Sequence, residues 1–147
     1  MSDHPLSLIL PTFDSHSYHA GINMAFAEVV GAGCKKLALS ATYSHEYAKE
    51  MMEATEYAAK EYNVLLQVEP ELLVSKLFPT DIAKDKTVII IAKNQGVLEE
   101  YAALKTMKKE SNEKGNPDEL ENKIAVKWGK LLSYEDAKIE ELLSKHG

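Results

Sequence analysis

Three histidines, His16, His19 and His45, fall in polar segments that directly follow apolar runs. Asp14, Glu46 and Lys93 share such positions. Asp14, His16 and His19 lie at a helix start, where two histidines three apart can face one point and an aspartate can complete a set of metal ligands. That set would support metal-assisted hydrolysis or proton abstraction, with a divalent metal as the cofactor. The plain alternative is that Asp14 or Ser15 caps the helix and one histidine packs on a sheet edge.

Ser44, His45 and Glu46 open a second helix. Free N–H groups and the positive dipole end make a helix start a seat for an anion. His45 beside it would act as donor or general acid, as Asp14 and His16 would in acid–base chemistry. Alternatively, Ser44 only caps and His45 is solvated. Lys93 and Asn94 follow the most β-branched run of the chain. Lys93 would hold a phosphate or carboxylate as a point charge, and Asn94 would cap the next helix. His4 and His146 lie at the termini and read as solvated.

The elements that must position these groups alternate. Leu6–Leu10 reads as a strand and Ser17–Val30 as a helix stopped by Gly31-Ala-Gly33. Leu37–Ala41 reads as a strand, followed by a helix from Ser44 to about Tyr62. Leu65–Val68 is a strand, Pro70–Phe78 a short helix and Thr87–Ala92 a strand. Alternation of this kind implies βαβ units. The expected fold is a three-layer, Rossmann-like α/β domain with a mostly parallel sheet of about four strands. Ligands of such sheets bind beyond the carboxyl ends of the strands, which is where the histidines fall.

From Gly96 onward the chain reads as mainly helical. Val97–Lys109 is a helix and Ser111–Asn116 a polar loop. Asn116-Pro117 is a helix start, with a buried stripe at Leu120, Ile124, Trp128 and Leu131. A strand over Ile124–Trp128 is the rival reading. Ser133 to Asp136 resembles a capping box for the last helix. Residues 1–147 read as one domain, with a βαβ core over 1–95 and a helical part over 96–147.

Composition narrows the function. All 17 basic residues are lysine, and the formal net charge is −6. Arginine is the side chain best suited to bidentate recognition of phosphate and guanine, so nucleic acid is excluded as a partner and an intrinsic arginine finger is excluded too. Any anion must be held by lysine, histidine or main-chain N–H groups. No G-x-x-x-x-G-K-[ST] occurs and no G-x-G-x-x-G follows the first strand, which argues against P-loop and classical NAD binding. No G-x-S-x-G supports a hydrolase triad. Cys34, the one cysteine, reads as a packing residue rather than a nucleophile. The apolar run from Gly21 to Gly33 is too short to cross a bilayer, and the first residues lack a cationic leader. The expectation is a soluble cytoplasmic protein.

Asp14 and His16 are similar to the first two positions of the D-x-H-x-x-G loop of cobalamin-binding domains, whose histidine ligates cobalt. His19 stands at the glycine position, and the family's later glycine pair has no counterpart here. The resemblance is confined to those few residues, and the expected cofactor stays unassigned.

Two functions follow, with a metal or corrinoid carrier as a third reading. One is an enzyme that binds a small anionic or phosphorylated metabolite at Ser44, Glu46, Lys93 and Asn94 and uses Asp14, His16 and His45. The other is a non-catalytic oligomeric subunit or regulatory ligand-binding domain. The second rests on Ile22–Val30, where only Asn23 and Glu28 are polar. A helix so apolar needs cover on more than one side, from the C-terminal helices or from a second subunit.

Overall fold

The structure is a computed structural model that describes Leu8 and residues 13–147. The strand expected over Leu6–Leu10 lies outside the described residues, apart from Leu8, which is exposed.

Helix α1 spans Ser15–Gly31 and is capped by Asp14, whose carboxylate accepts from the His16 N–H. It stops as the glycines predict. Gly33 takes φ 87, a left-handed value that glycine adopts without strain, and its N–H bonds back to the Val30 carbonyl. Strand β1 is Leu37–Leu39. Helix α2 spans His45–Tyr62. The Ser44 hydroxyl caps its start by accepting from the Tyr47 N–H, and Asn63 closes it in a left-handed conformation. Strands β2 (Leu65–Glu69) and β3 (Val88–Ala92) follow. Helices α3 (Gln95–Glu113), α4 (Asp118–Leu131) and α5 (Asp136–His146) complete the chain. No helix among the described residues is long and apolar enough to cross a membrane.

The described sheet has three strands in the order β1-β3-β2, and β3 is antiparallel to both neighbours. This overturns the expected Rossmann-like, mostly parallel sheet of four strands. The two edge strands do run parallel to each other, joined by α2, but β3 is inserted between them in the reverse direction. The cause of the misreading is physical. All five residues of β3 are buried, because helices cover both sheet faces. A run of Val and Ile reports burial on two faces, which parallel sheets usually have, and says nothing of strand direction.

Ile89 and Ile91 pack with Ala27 and Val30 of α1 and Met51 and Ala58 of α2. Ile90 and Ala92 face the other way, against Tyr101 and Leu104 of α3 and Ile124 and Trp128 of α4. Inward cover of α1 thus comes from α2 and the sheet, while α3 and α4 lie on the opposite face.

Four local expectations are corrected. Pro70–Phe78 is not a helix. The Leu73 N–H is held by the Tyr101 hydroxyl at 3.1 Å, the Leu77 N–H by the Ser75 hydroxyl at 3.1 Å, and Pro79 disfavours helix at the residue before it. Ile124–Trp128 is helical, as the buried stripe implies, and the rival strand reading falls away. Helix α3 runs on into the expected polar loop, since the Ser111 hydroxyl is buried and donates to Glu121 of α4 at 2.6 Å. Ser133 does not cap the last helix: it takes φ 67 and accepts from the Lys36 N–H, and Glu135 stands at the cap position. At the start of α4, Pro117 occupies the cap and Asn116 precedes it at φ 57.

Candidate functional site

The antiparallel β3 decides which residues meet. The carboxyl ends of β1 and β2 lie at the edge where β3 begins. There Tyr43 and Thr87 exchange both main-chain hydrogen bonds at 2.8 Å. This edge holds the start of α2, and so Ser44, His45 and Glu46. Nδ1 of His45 pairs with the hydroxyl of Thr87, which is buried. One ring nitrogen is thereby fixed, and among the described residues no hydrogen bond engages Nε2.

Lys93 and Asn94 follow β3 and therefore stand at the opposite edge. The Lys93 N–H donates to the Lys36 carbonyl at 2.9 Å, and its ammonium donates to the Gly31 carbonyl at 2.5 Å. Asn94 caps α3, accepting from the Val97 N–H at 3.1 Å. The expected joint grip of Lys93 and Ser44 on one anion is not formed. Lys93 serves the end of α1, and Asn94 the start of α3.

Asp14 is engaged by the capping it performs. Its two oxygens accept from the Ser17 hydroxyl at 2.5 Å and the His16 N–H at 3.1 Å. The hydrogen bonds from Ser17 and His16 hold its carboxyl below the ordinary aspartate value. The His16 ring meets Tyr47 edge-on at 6.3 Å, His19 meets Tyr43 at 5.5 Å, and Tyr43 meets Tyr47 at 5.5 Å. Among the described residues, no group of three His, Cys, Asp or Glu side chains is placed to hold a metal ion. The metal set of Asp14, His16 and His19 is therefore not assembled.

Two hollows flank the first turn of α2. On one side His19, Tyr43, Ser44, Glu46, Tyr47 and Lys86 border an open hollow of about 490 Å³. Beneath it Asn23 of α1, fully buried, donates to the Tyr43 hydroxyl at 3.2 Å and the Thr55 hydroxyl at 3.1 Å. Burial pushes the Tyr43 phenol above its ordinary value.

On the other side His45 borders a cleft of about 340 Å³ whose remaining walls come from the irregular segment between β2 and β3. Leu72, Leu73, Val74, Phe78 and Ile82 make it mainly apolar, and Glu71, Lys84 and Asp85 add charge. The segment is anchored where it leaves β2. Glu69 is buried and accepts from the Tyr101 hydroxyl at 2.6 Å and the Lys105 ammonium at 2.8 Å. Lys105 also donates to the Glu71 carbonyl at 2.8 Å. Burial and the bond to Glu69 raise the Tyr101 phenol well above its ordinary value, so it remains a donor.

Sequence reasoning missed Thr87, Tyr43, Tyr47 and the cleft wall. Pro70 at the start of the irregular segment and Pro79 within it were a signal against a helix there. Cys34 is exposed rather than packed. No protein-family description, no curated protein and no solved structure matches this chain.

Proposed function

We propose that this protein binds a small, mainly apolar organic molecule in the cleft between His45 and the 70–85 segment, and that His45 engages the molecule's polar group. The observation that carries this reading is the pairing of His45 with buried Thr87 at the mouth of an apolar cleft of about 340 Å³. Small-molecule sites have this make-up: roughly 300–1,000 Å³, apolar walls and a few polar groups whose orientation is fixed. A long segment without regular structure inside a packed domain is uncommon and is more often kept for binding than for connection. The function is recognition, with the His45 imidazole as the polar contact.

The test is a fragment screen by heteronuclear NMR on the full chain. Fragments with an aromatic or branched aliphatic body and one carboxylate, amide or hydroxyl shift the amides of His45, Val74 and Ile82 together. Ile82→Lys, which places a charge on an exposed wall residue, removes those shifts. Shifts confined to the Tyr43–Tyr47 hollow, or none at all, would overturn the reading.

A further inference from the structure

One groove runs against the charge of the rest of the chain, which carries 23 acidic side chains to 17 basic ones. Where α3 packs on α4, an open groove of about 300 Å³ is bordered by Lys36, Lys127 and Lys130 and by a single carboxylate, Glu100. Its floor is apolar: Leu104 of α3 and Leu131 of α4 are buried, and Met107 is half-buried beside them. Lys127 and Lys130 stand three apart on α4 and so share one helix face. Lys36 is brought to them by its main chain. Its N–H donates to the Ser133 hydroxyl at 3.1 Å, just past the end of α4, and its carbonyl accepts from the Lys93 N–H at 2.9 Å. The groove therefore lies toward the sheet edge of Lys93, opposite that of His45.

None of the three lysines has a carboxylate partner among the described residues, where the ion pairs belong to Lys76, Lys105, Lys108 and Lys138. Ammonium groups gathered without counter-charge repel one another, and an anion among them relieves that repulsion. The helix seam supplies the other half of the chemistry, because an apolar body on Leu104, Met107 and Leu131 displaces water favourably. Lysine stems lengthen the apolar walls, and their heads hold a carboxylate as point charges, without the fixed geometry of arginine. We propose that the α3–α4 groove is a second ligand site and takes a small amphiphilic organic anion. Its aliphatic body lies on the floor of Leu104, Met107 and Leu131, and its carboxylate sits among Lys36, Lys127 and Lys130. Volume and charge select this occupant. A hollow of about 300 Å³ has the size of a small-molecule site, and three cations to one carboxylate reject a cationic head.

Octanoate is the probe, titrated into the isotope-labelled full chain and followed by heteronuclear NMR. It shifts the amides of Leu104, Met107 and Leu131. Octylammonium, with the same chain and the opposite charge, does not. Lys127→Gln combined with Lys130→Gln, both at exposed positions, keeps the fold and raises the dissociation constant for octanoate roughly tenfold. Equal shifts by octanoate and octylammonium, or an octanoate affinity indifferent to the double variant, overturns the inference. So does a groove that ignores octanoate and responds instead to anionic phospholipid vesicles, to an acidic amphipathic peptide or to a second copy of the chain at high concentration. Octanoate shifts confined to His45, Val74 and Ile82 would overturn this second site and leave the reading of the His45 cleft standing.

Discussion

The Lys93 ammonium donates to the main-chain carbonyl of Gly31 at 2.5 Å and so ties the turn after β3 to the last turn of α1. Carbonyls at a helix end lack intrahelical donors, and a cation there also meets the negative end of the dipole. Lys93→Met keeps the apolar stem and removes the donor. It lowers the unfolding free energy by about 1–2 kcal/mol. Fragment affinity in the His45 cleft is unchanged, because Lys93 lies at the other edge. Urea melts and an NMR titration read the two quantities, and a loss of affinity with intact stability would return Lys93 to the site.

Gly31 itself faces α2. A Cβ there would lie 2.5 Å from the Tyr62 carbonyl oxygen, whereas a Cβ on Gly21 meets nothing within 4 Å. Gly31→Ala forces the backbones of α1 and α2 apart and costs roughly 1–3 kcal/mol. Gly21→Ala, in the interior of the same helix, raises stability by roughly 0.5–1 kcal/mol. Thermal denaturation should move the two variants in opposite directions; equal shifts would contradict the close approach at Gly31.

Asn23 holds the 43–47 aromatic cluster from below. Asn23→Ala leaves the buried Tyr43 hydroxyl without its donor and costs about 1–3 kcal/mol. Tyr43→Phe removes the orphaned group, so the double variant loses less than the sum of the singles, with a coupling of about 0.5–3 kcal/mol. Strict additivity in chemical denaturation would show that the two side chains do not interact.

Glu121 makes stability depend on pH. Burial acts to raise its carboxyl pKa, but hydrogen bonds from Lys108 at 2.5 Å and Ser111 at 2.6 Å, with the Lys108 charge, outweigh it and hold the value below the ordinary 4.5. A depressed carboxyl stabilises the fold above its unfolded pKa and loses that contribution as pH falls through the native value. Glu121→Gln is therefore most destabilising near neutrality, and the gap to the unmodified protein closes below about pH 4. Urea melts between neutrality and mild acid measure the gap; one that widens on acidification would reverse the sign argued here.

Thr87→Val removes the hydroxyl that fixes the His45 ring while nearly preserving shape. The fold is retained, and fragments that reach His45 bind about three- to tenfold more weakly, the net worth of one hydrogen bond. Unaltered affinity in an NMR titration would mean that the orientation of the ring does not matter to binding.

Local chemistry alone determined the helix starts and stops that frame the site. Ser44 and Asn94 cap because a short polar side chain before an apolar repeat can satisfy an orphan N–H. Gly33 stops α1 because glycine takes a positive φ without strain. These terms act within a few residues, so they are legible in the chain. Strand direction is not, since Val88–Ala92 would show the same apolar run in either orientation once both faces are covered. That one reversal keeps His45 with Thr87 and sends Lys93 to the end of α1. The 70–85 segment was legible only in part: Pro70 and Pro79 speak against a helix, but the path the segment takes was beyond local reading. Its backbone groups are partnered by Tyr101 and its side chains by a distant core, and such contacts override a modest local preference for helix. His45 was identifiable as a polar residue at a helix start; the cleft it borders, and the hydroxyl that holds it, exist only where β3 lies antiparallel between β1 and β2.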